Sequence, residues 1–507
     1  MSTDSSSANT IDGILRRSAA RHPERTALIF EDRSHTYREL DDAVNGAAAA
    51  LLANGLRRGD RVAAYGTNSD AYVIGFLACC RAGLVHVPIN YALRGEELRY
   101  LAAQSGARAV LVDPALAGTL DEVRGDLADV EWVIPFRDAT DSLLASSTSD
   151  EAPEPGSGAG GSDLAQLLYT SGTTSKPKGA MMTHQALISE YVSSVIALDF
   201  AADDNPLIAM PLYHSAGMHV FLLPYLSVGA TVRLMATPDI PEILRRIEAE
   251  RIGSLFLAPT VWVPLANHPD LDTRDLSSLR KAQYGASIMP VTVLNRLRER
   301  FPELGFYNCF GQSEIGPLAT VLRPEEHGDR ASSCGRPVFF VETRVVDADG
   351  HDVEPGVPGE ILYRSPQLCR GYWENPAATD EAFRDGWFHS GDLVTRDAEG
   401  FITVVDRIKD VINTGGILVA SREVEDALYT HAAVSEVAVI GEPDDKWIEA
   451  ITAVVVLRDG ESVTEDALIE HVRAQIAPFK VPKRVRFVDE LPRNQSGKLL
   501  KRELRTQ

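Results

Sequence analysis

Apolar and polar residues follow one another in short blocks along the first part of the chain. Residues 38–54 have an Ala- and Leu-rich helical pattern that stops at Gly55, and residues 70–82 have the length of a second helix. Three short apolar runs lie at 61–65, 84–88 and 108–112, and a third helical stretch lies at 95–105. Strands that alternate with helices predict βαβ units and a mostly parallel sheet.

The pattern changes twice further along. Residues 146–163 are rich in Ser, Gly, Pro and acidic side chains, which predicts a loop or linker. The α/β pattern resumes at 164–275 and includes a helix at 240–251. Residues 333–405 hold short β-rich pieces broken by Gly and Pro, which predict a small β-barrel or sheet.

The last hundred residues have the pattern of a separate α+β unit. Ser421 is predicted to cap one helix and Thr464 to cap a second one. Apolar runs predict strands at 435–440, 451–457 and 484–488. The expected fold class is α/β, with a large N-terminal domain of α/β subdomains and a small β-rich subdomain at 1–408. A small, mobile α+β domain at 409–507 is expected to follow.

Composition excludes several classes of protein. The 507 residues include 50 Lys and Arg against 72 Asp and Glu, a formal charge of −22, so a general nucleic-acid binder is not expected. No apolar run is long enough to span a membrane, and the polar N-terminus lacks the layout of a secretory signal. The 5 cysteines never form a CxxC pair, which argues against a disulfide framework or a zinc site. We therefore predict a cytoplasmic protein without a membrane span.

Residues 167–179 (LLYTSGTTSKPKG) carry the most informative chemistry. An apolar strand leads into a turn of Ser, Thr and Gly, and Lys176 and Lys178 follow. Converging N–H groups, hydroxyls and a lysine are what a triphosphate requires, although such a turn alone is more often only a turn. The Walker pattern is absent. A match to GxGxxG at 156–161 follows no strand, so we interpret it as linker.

A family resemblance accounts for this stretch. Residues 169–179 closely resemble the AMP-binding signature of the adenylate-forming superfamily, which contains acyl-CoA synthetases, peptide-synthetase adenylation domains and luciferases. Further motifs of that family appear in its order: 211–217 (PLYHSAG), 284–287 (YGAS), 308–314 (NCFGQSE), 386–392 (GWFHSGD), 406–410 (DRIKD) and 494–498 (NQSGK). The resemblance extends from about residue 27 to residue 504.

The resemblance implies an acid–CoA ligase, an enzyme that forms carbon–sulfur bonds. ATP and a hydrophobic monocarboxylic acid would give an acyl-AMP, and CoA would then displace AMP to give the acyl-CoA. ATP, Mg²⁺ and CoA are the implied cofactors and co-substrate. Mg²⁺ and cations suit this chemistry because two anions must be brought together.

The resemblance also assigns roles to residues around the nucleotide. Thr170 and Glu314 are expected to bind the metal, and Asp392, with Arg407, the ribose hydroxyls. The phosphates are assigned to Ser171, Gly172, Thr173, Thr174 and Lys178. The adenine side is assigned to Gly285, Ala286, Ser287 and Phe310. Gly311, Gln312 and Ser313 are expected among the nucleotide-binding residues.

Two lysines near the C-terminus receive roles of a different kind. Lys498 is implied to bridge the acid carboxylate and the α-phosphate, where an ammonium stabilises the charge that develops during transfer. Residues 473–505 contain ten Lys and Arg against three Asp and Glu, so this end of an acidic chain is basic. The resemblance places Lys409 at the hinge position about which the family's C-terminal domain rotates between the two half-reactions.

The acid pocket is the least specified part of the site. His214 resembles the histidine beside the acyl pocket, although a lone histidine is more often structural. The candidate lining is apolar or aromatic, and each member taken singly could be ordinary core: Tyr213, Met218, Val220, Trp262 and Ile315. A hydrophobic monocarboxylic acid is favoured, and the choice among fatty, aryl and polycyclic acids stays open.

This sequence departs from the family pattern at four places. Ser175 replaces a glycine and Ser313 a threonine, both mild changes. Residues 417–421 (ILVAS) replace a segment that usually resembles Glu-Asn-Val-Tyr-Pro, and Ile448 replaces a glycine. In the family the replaced segment enters the active site for the CoA step.

These departures leave alternatives open. One is an enzyme that only adenylates and passes acyl-AMP to a separate thiolating enzyme or carrier protein. Two alternatives from other classes are more remote: a nucleotide-binding regulatory protein, against which the retained Thr170, Glu314, Asp392 and Lys498 argue, and a dinucleotide oxidoreductase, which would depend on the match at 156–161 interpreted above as linker. A homodimer is neither indicated nor excluded.

Overall fold

The structure is a computed structural model, and it describes residues 9–146, 159–170, 176–287, 289–415, 417–444, 446–493 and 499–505, the side chain of Arg502 excepted. The helices of these residues are α1 Ile11–Arg21, α2 Tyr37–Ala53, α3 Asp70–Ala82, α4 Gly95–Gln104, α5 Ala117–Arg124, α6 Leu143–Ser146, α7 His184–Ala197, α8 Leu223–Ser227, α9 Ile240–Glu250, α10 Pro259–Ala266, α11 Val291–Arg300, α12 Pro376–Ala382, α13 Ser421–Tyr429, α14 Glu465–Arg473 and α15 Lys501–Leu504.

Strands occur throughout the described chain. In chain order they are β1 Thr26–Phe30, β2 Arg33–Thr36, β3 Arg61–Tyr65, β4 Val85–Ile89, β5 Ala107–Val112, β6 Trp132–Pro135, β7 Leu164–Thr170, β8 Lys178–Thr183, β9 Pro206–Ile208, β10 Val232–Leu234, β11 Ser254–Leu257, β12 Lys281–Gly285, β13 Gly305–Phe310, β14 Thr320–Leu322, β15 Arg336–Pro337, β16 Glu342–Val346, β17 Gly359–Arg364, β18 Phe383–Arg384, β19 Trp387–Arg396, β20 Ile402–Arg407, β21 Ile412–Thr414, β22 Ile417–Val419, β23 Val434–Asp444, β24 Ile448–Leu457 and β25 Arg484–Phe487.

The chain divides into two compact units. Unit 1 comprises residues 1–331, 335–342 and 364–388, and unit 2 comprises residues 332–334, 343–363 and 389–507. Unit 1 holds a nine-stranded sheet of order β15–β14–β13–β12–β11–β9–β10–β1–β2 and a six-stranded sheet of order β6–β5–β3–β4–β7–β8. In the nine-stranded sheet β11, β12 and β13 are parallel neighbours, as strands joined by helical crossovers should be.

Unit 2 contains most of a five-stranded sheet, in which β19 and β20 form an antiparallel pair. Its second sheet has the order β22–β21–β24–β23, with β25 parallel to β24. Helices α13 and α14 pack on this second sheet through buried residues that include Val424, Leu428 and Leu468.

Most elements predicted from the pattern are present. α3 has the predicted bounds, Thr464 caps α14 by accepting a hydrogen bond from the Ala467 amide, and Gly55 follows α2 with a left-handed φ of 84°. The linker predicted at 146–163 begins on the last residue of α6, and its central residues 147–158 lie outside the described residues. The β-rich segment forms an open sheet.

The predicted cap at Ser421 is wrong. Ala420 is the N-cap of α13 and makes no side-chain cap, and Ser421 is the first helical residue. Its backbone amide and its hydroxyl both donate to Asp406 Oδ2, at 2.7 Å each. The carboxylate of a neighbouring strand has therefore replaced the serine as the group that satisfies the start of this helix.

Among the described residues, no helix combines the length and the hydropathy that crossing a bilayer requires. All five cysteines are buried and unpaired.

Candidate functional site

The residues predicted to bind a metal come together in unit 1. Thr170 is the last residue of β7, and Glu314 lies in a 3-10 turn, Ser313–Ile315, that follows β13. The Thr170 hydroxyl donates a hydrogen bond of 3.2 Å to Oε1 of Glu314. Glu314 is only 8% exposed, so this hydrogen bond has little competition from water.

Tyr372 is a neighbour of this pair that the sequence analysis missed. Its hydroxyl donates to the same Oε1 of Glu314 at 3.0 Å. The ammonium of Lys178, which was predicted to bind phosphate, lies 5.2 Å from the centroid of the Tyr372 ring. Burial, followed by the charge of Glu314, raises the pKa of Tyr372, so the hydroxyl stays protonated and remains a donor.

The predicted adenine motifs lie at one edge of the nine-stranded sheet. β12 ends at Gly285 and the parallel β13 ends at Phe310, with Gly285 opposite Cys309. A Cβ on Gly285 would lie 2.2 Å from the Cys309 carbonyl oxygen, so only glycine fits there. Ligands of open α/β sheets bind outside such carboxyl ends of parallel strands.

Backbone geometry at this edge is unusual. Ala286 has a φ of 64°, a left-handed value that is uncommon for a residue with a side chain, and both Ala286 and Ser287 are exposed. Residues held in such conformations cluster at ligand sites, because the surrounding structure must stabilise them. This observation marks the strand end as a candidate site independently of the motif.

The turn after β13 is closely packed. A Cβ on Gly311 would approach the Pro317 carbonyl oxygen to 2.0 Å, and Gln312 precedes the 3-10 turn as its N-cap. The Ser313 hydroxyl lies 3.0 Å from the Ser215 hydroxyl. This hydrogen bond joins the motif at 308–314 to the motif at 211–217, so the structure brings the predicted metal and acid motifs together.

The predicted acid-pocket residues occupy two environments. Tyr213 and His214 are half-buried, and Tyr213 meets Tyr91 edge to face at 5.4 Å. The other four are almost completely buried: Met218 and Val220 in a π-helix, Ala216–Leu222, Ile315 beside Glu314, and Trp262 in the core of the nine-stranded sheet. The Trp262 indole donates to the Gln283 carbonyl oxygen at 3.0 Å.

A buried hydrogen-bond chain supports the π-helix. The Tyr191 hydroxyl contacts His219 Nδ1 at 2.8 Å, and His219 Nε2 contacts the Gln166 side chain at 2.7 Å. Gln166 in turn contacts His86 Nδ1 at 2.9 Å. Burial lowers the pKa of His86 and of His219 to about 3, so both imidazoles are neutral at physiological pH. The network ties α7, the π-helix and two strands together.

The predicted ribose residues lie in unit 2. Asp392 on β19 and Arg407 on β20 are directly opposite each other in the antiparallel register. Arg407 Nε lies 2.6 Å from Asp392 Oδ1, and Asp392 is 2% exposed. Lys409, the predicted hinge, is exposed in the short 3-10 turn Ile408–Asp410.

Five predicted site residues lie outside the described residues: Ser171, Gly172, Thr173, Thr174 and Lys498. On either side of Lys498, Arg493 and Leu499 form an isolated antiparallel bridge. The roles given to these five residues, like those given to the other predicted site residues, stay predictions.

An apolar tip is exposed in unit 2 where the sequence departs from the family pattern. In β22, Ile417 is 46% and Leu418 70% exposed, and Ile448 at the start of β24 is 58% exposed. Thr414 pairs with Ile448, and the Gly415 amide donates to the Trp447 carbonyl oxygen at 2.6 Å. Two departures that are distant in sequence therefore form one surface, which we call the hairpin tip (Ile417, Leu418 and Ile448).

The oxygen atoms around Glu314 fit a hard divalent cation. Among the described residues, both hydrogen bonds to the Glu314 carboxylate fall on Oε1. The Thr170 hydroxyl donates its proton to that carboxylate and keeps its lone pairs for another partner. Carboxylate and hydroxyl oxygens are ligands that Mg²⁺ accepts.

Comparisons with known proteins cover almost the whole chain. The sequence model of the AMP-binding enzyme family matches residues 15–373, and that of the AMP-binding enzyme C-terminal domain matches residues 423–498. A feruloyl-CoA synthase from Amycolatopsis sp. is 40% identical over 490 residues, which cover 96% of this chain and 97% of that protein. An indoleacetate–CoA ligase from Aromatoleum aromaticum is 35% identical, with 97% of this chain and 96% of that protein covered.

A solved structure shows the same likeness in three dimensions. The crystal structure of the anthranilate CoA ligase AuaEII in complex with anthranoyl-AMP matches with a TM-score of 0.90 and 27% identity. The match covers 98% of this chain and 96% of that one.

Proposed function

The chain belongs to the AMP-binding enzyme family and is an AMP-forming acid–CoA ligase, and from this premise we propose that its substrate is a hydrophobic aromatic monocarboxylic acid. The family resemblance and the fold class expected from the sequence are both confirmed. ATP and CoA are consistent with the relatives and with ATP-bound neighbours. The separate thiolating partner and the homodimer have no support among these findings.

The aromatic assignment is based on two kinds of support. The relatives described above are named for feruloyl, indoleacetate and anthranilate, which are all aromatic acids. On this chain the predicted lining includes aromatic Tyr213 in edge contact with Tyr91. Aromatic rings pack favourably on one another edge to face or offset-stacked, so Tyr213 offers an aromatic acid a partner of this kind.

In the proposed first half-reaction the acid carboxylate attacks the α-phosphorus of ATP. A new oxygen–phosphorus bond forms, pyrophosphate leaves, and the product is the acyl-AMP. Lys178 would neutralise phosphate charge, and Lys498 would stabilise the charge that develops on the transferring group. Asp392 would accept hydrogen bonds from the ribose hydroxyls.

Thr170 and Glu314 are the residues that we propose to hold Mg²⁺ in this step. The observation that carries the proposal is the convergence of Thr170 and Glu314 at 3.2 Å, from motifs 144 residues apart in the sequence. The ion, when bound, supplies positive charge to the phosphate oxygens. The residues themselves orient the ligand oxygens in a site that is mostly screened from water.

In the proposed second half-reaction the CoA thiol attacks the acyl carbonyl. A carbon–sulfur bond forms, the thiol proton is released, and AMP leaves with its phosphate oxygen. The sequence departures at the hairpin tip are relevant to this step, because in the family the corresponding segment enters the active site when CoA reacts.

Mass spectrometry of products from an acid panel tests the assignment. Cinnamic, indole-acetic, anthranilic, octanoic and palmitic acids are each incubated with ATP and Mg²⁺, with and without CoA. The proposal predicts acyl-CoA from the aromatic acids, only when CoA is present, with kcat/KM at least ~10-fold above that for the aliphatic acids, the scale of a modest pocket preference. A preference for palmitate or octanoate would contradict the aromatic assignment.

An adenylation-only enzyme is the alternative that the same experiment separates. It predicts acyl-AMP that accumulates to the same level whether or not CoA is added. No described contact favours this alternative, and the relatives are named as CoA ligases or synthases.

A further inference from the structure

A buried glutamine fixes the turn that carries Glu314. Gln367 is completely buried, and its side-chain nitrogen donates to the carbonyl oxygens of Ile315 at 3.1 Å and of Leu318 at 3.0 Å. Its side-chain oxygen accepts a hydrogen bond of 2.6 Å from the Ser193 hydroxyl on α7. The side-chain amide of Gln367 therefore binds both ends of the segment 315–318, which follows Glu314, and anchors this segment to α7.

The residues that follow Gln367 contact the site from the other side. The Cys369 amide donates to the Glu314 carbonyl oxygen at 2.8 Å. Backbone hydrogen bonds then connect residues 370–373 to β8, with Gly371 accepting from Met181 and Trp373 donating to Gly179. We call residues 367–373 the clamp segment, because it is bonded both to the Glu314 turn and to the strand that begins at Lys178.

The side chain of Tyr372, in the clamp segment, contacts a predicted metal-binding residue and a predicted phosphate-binding residue. The hydroxyl donates to Glu314 Oε1 at 3.0 Å, and the ring faces the ammonium of Lys178 at 5.2 Å. The Tyr372 backbone is itself fixed by a bridge to Ala180 and by a hydrogen bond of 2.9 Å to the Thr379 hydroxyl. From this fixed backbone the Tyr372 hydroxyl reaches one oxygen of the Glu314 carboxylate.

We infer that Tyr372 and Gln367 are positioning residues for the adenylation step, which act on the metal-binding carboxylate of Glu314 rather than on the substrate. The inference rests on the proposed function, since it assumes that Glu314 binds Mg²⁺. Among the described residues, Tyr372 and Thr170 both hydrogen-bond to Oε1 of Glu314, and Oε2 is the oxygen that would then accept a cation. Gln367 fixes the position of the backbone, and Tyr372 fixes the rotation of the side chain.

Partners of a metal ligand commonly matter almost as much as the ligand itself. A hydrogen bond to a ligating carboxylate fixes its orientation, and loss of such a partner typically costs 10–100-fold in metal affinity or activity. A residue that only filled space would not affect metal affinity, so this property separates positioning from packing.

Tyr372→Phe is the direct test, because it removes one hydroxyl and keeps the ring. Mn²⁺ binding to the complex of the enzyme with a non-hydrolysable ATP analogue is measured by electron paramagnetic resonance. We expect the Mn²⁺ dissociation constant to rise ~10-fold. We also expect kcat for pyrophosphate release to fall while the KM for the acid stays unchanged.

Tyr72→Phe is the matched control. Tyr72 is buried in the same unit, and among the described residues its hydroxyl has no hydrogen-bond partner. This variant should bind Mn²⁺ as the unchanged protein does. An unchanged Mn²⁺ dissociation constant in Tyr372→Phe, or an equal rise in both variants, overturns the inference.

Gln367→Met adds a second, larger change. The substitution leaves the carbonyl oxygens of Ile315 and Leu318 without their donor, so we expect weaker Mn²⁺ binding together with a lower melting temperature. Wild-type Mn²⁺ affinity in a folded Gln367→Met protein would contradict the inference. The proposed function fails if the unchanged enzyme forms no acyl-AMP. Only the inference fails if the unchanged enzyme is active and Tyr372→Phe binds Mn²⁺ with the same affinity.

Discussion

The Glu314 turn and the hairpin tip are built in opposite ways. Glu314 is 8% exposed, and both its carboxylate and its carbonyl oxygen accept hydrogen bonds from unit 1. Leu418 is 70% exposed at the hairpin tip of unit 2. One region is fixed by contacts within its own unit, and the other leaves apolar side chains in water.

This difference suggests how two half-reactions can be divided between two units. A site whose groups are already hydrogen-bonded needs little rearrangement when the substrate arrives, which suits electrostatic stabilisation of the adenylation step. An exposed apolar surface is stabilised only when something covers it. We expect the hairpin tip to contribute to the CoA step and to have little influence on adenylation.

Lys498→Ala should have the largest effect and should affect one half-reaction only. Removal of one group that stabilises transition-state charge typically costs ~100–1000-fold in rate, and we expect this loss in pyrophosphate release. Thioester formation from supplied acyl-AMP should stay within a few-fold of the unchanged enzyme. An equal loss of rate in pyrophosphate release and in thioester formation would contradict the assignment of Lys498 to the adenylation step alone.

Leu418→Ser should have the opposite selectivity. Full burial of a leucine side chain is worth ~1.5–3 kcal/mol, so thioester formation should slow by ~10-fold or more if the tip is covered in that step. Stopped-flow measurement with supplied acyl-AMP follows this step, and pyrophosphate release should not change. Val357→Ser, at a residue of unit 2 that is 47% exposed, is the matched control and should alter neither reaction.

Ser421→Ala tests how the base of the hairpin tip is anchored. Ser421 is fully buried and donates twice to Asp406, and Lys501 contacts its hydroxyl as well. Loss of the hydroxyl should cost ~1–3 kcal/mol of unfolding free energy, since a hydrogen bond to a charged group is removed from a buried site. Chemical denaturation measures this value. An unchanged free energy of unfolding in Ser421→Ala would show that the Ser421 hydroxyl does not anchor the base of the hairpin tip.

The buried histidines of unit 1 should make stability depend on pH. Burial lowers the pKa of His86 to about 3, well below that of a histidine in the unfolded chain. As the pH falls, the unfolded chain therefore binds a proton at this histidine before the folded protein does, and this favours unfolding. The contribution is complete above about pH 6.5 and is lost progressively toward about pH 3.

His86→Gln should reduce the slope of unfolding free energy against pH by about 1.4 kcal/mol per pH unit between about pH 6 and about pH 4. Urea denaturation at a series of pH values measures the slope. An unchanged slope in His86→Gln would mean that this imidazole takes up its proton in the folded state.

The sequence predicted much of this fold and part of the site. The stretch at 70–82 predicted α3 by its helix length, and the structure adds a cap at Ser69 and a left-handed Gly83 at its ends. Ordered motifs predicted that Thr170 and Glu314 act together, and the fold brings the two side chains into contact. Periodicity could not find Tyr372, which lies between Gly371 and Trp373 in a short turn-rich stretch and acquires its partner only through the fold.

The error at Ser421 has a physical cause of the same kind. A serine before an acidic helical stretch is a good local cap, but the Asp406 carboxylate 15 residues earlier in the chain binds its amide and hydroxyl more strongly. Gln367 was missed for a related reason, because a buried amide is recognised by the carbonyl groups around it and not by its neighbours in sequence.

The most direct test of the account follows one turnover of the unchanged enzyme in two stages. The enzyme, at a concentration above that of an aromatic acid, is first mixed with ATP and Mg²⁺ and then with CoA, and each stage is quenched and analysed by mass spectrometry. We predict that acyl-AMP forms in the first stage and is converted to acyl-CoA in the second. Acyl-AMP that persists after CoA is added would contradict the assignment as an acid–CoA ligase.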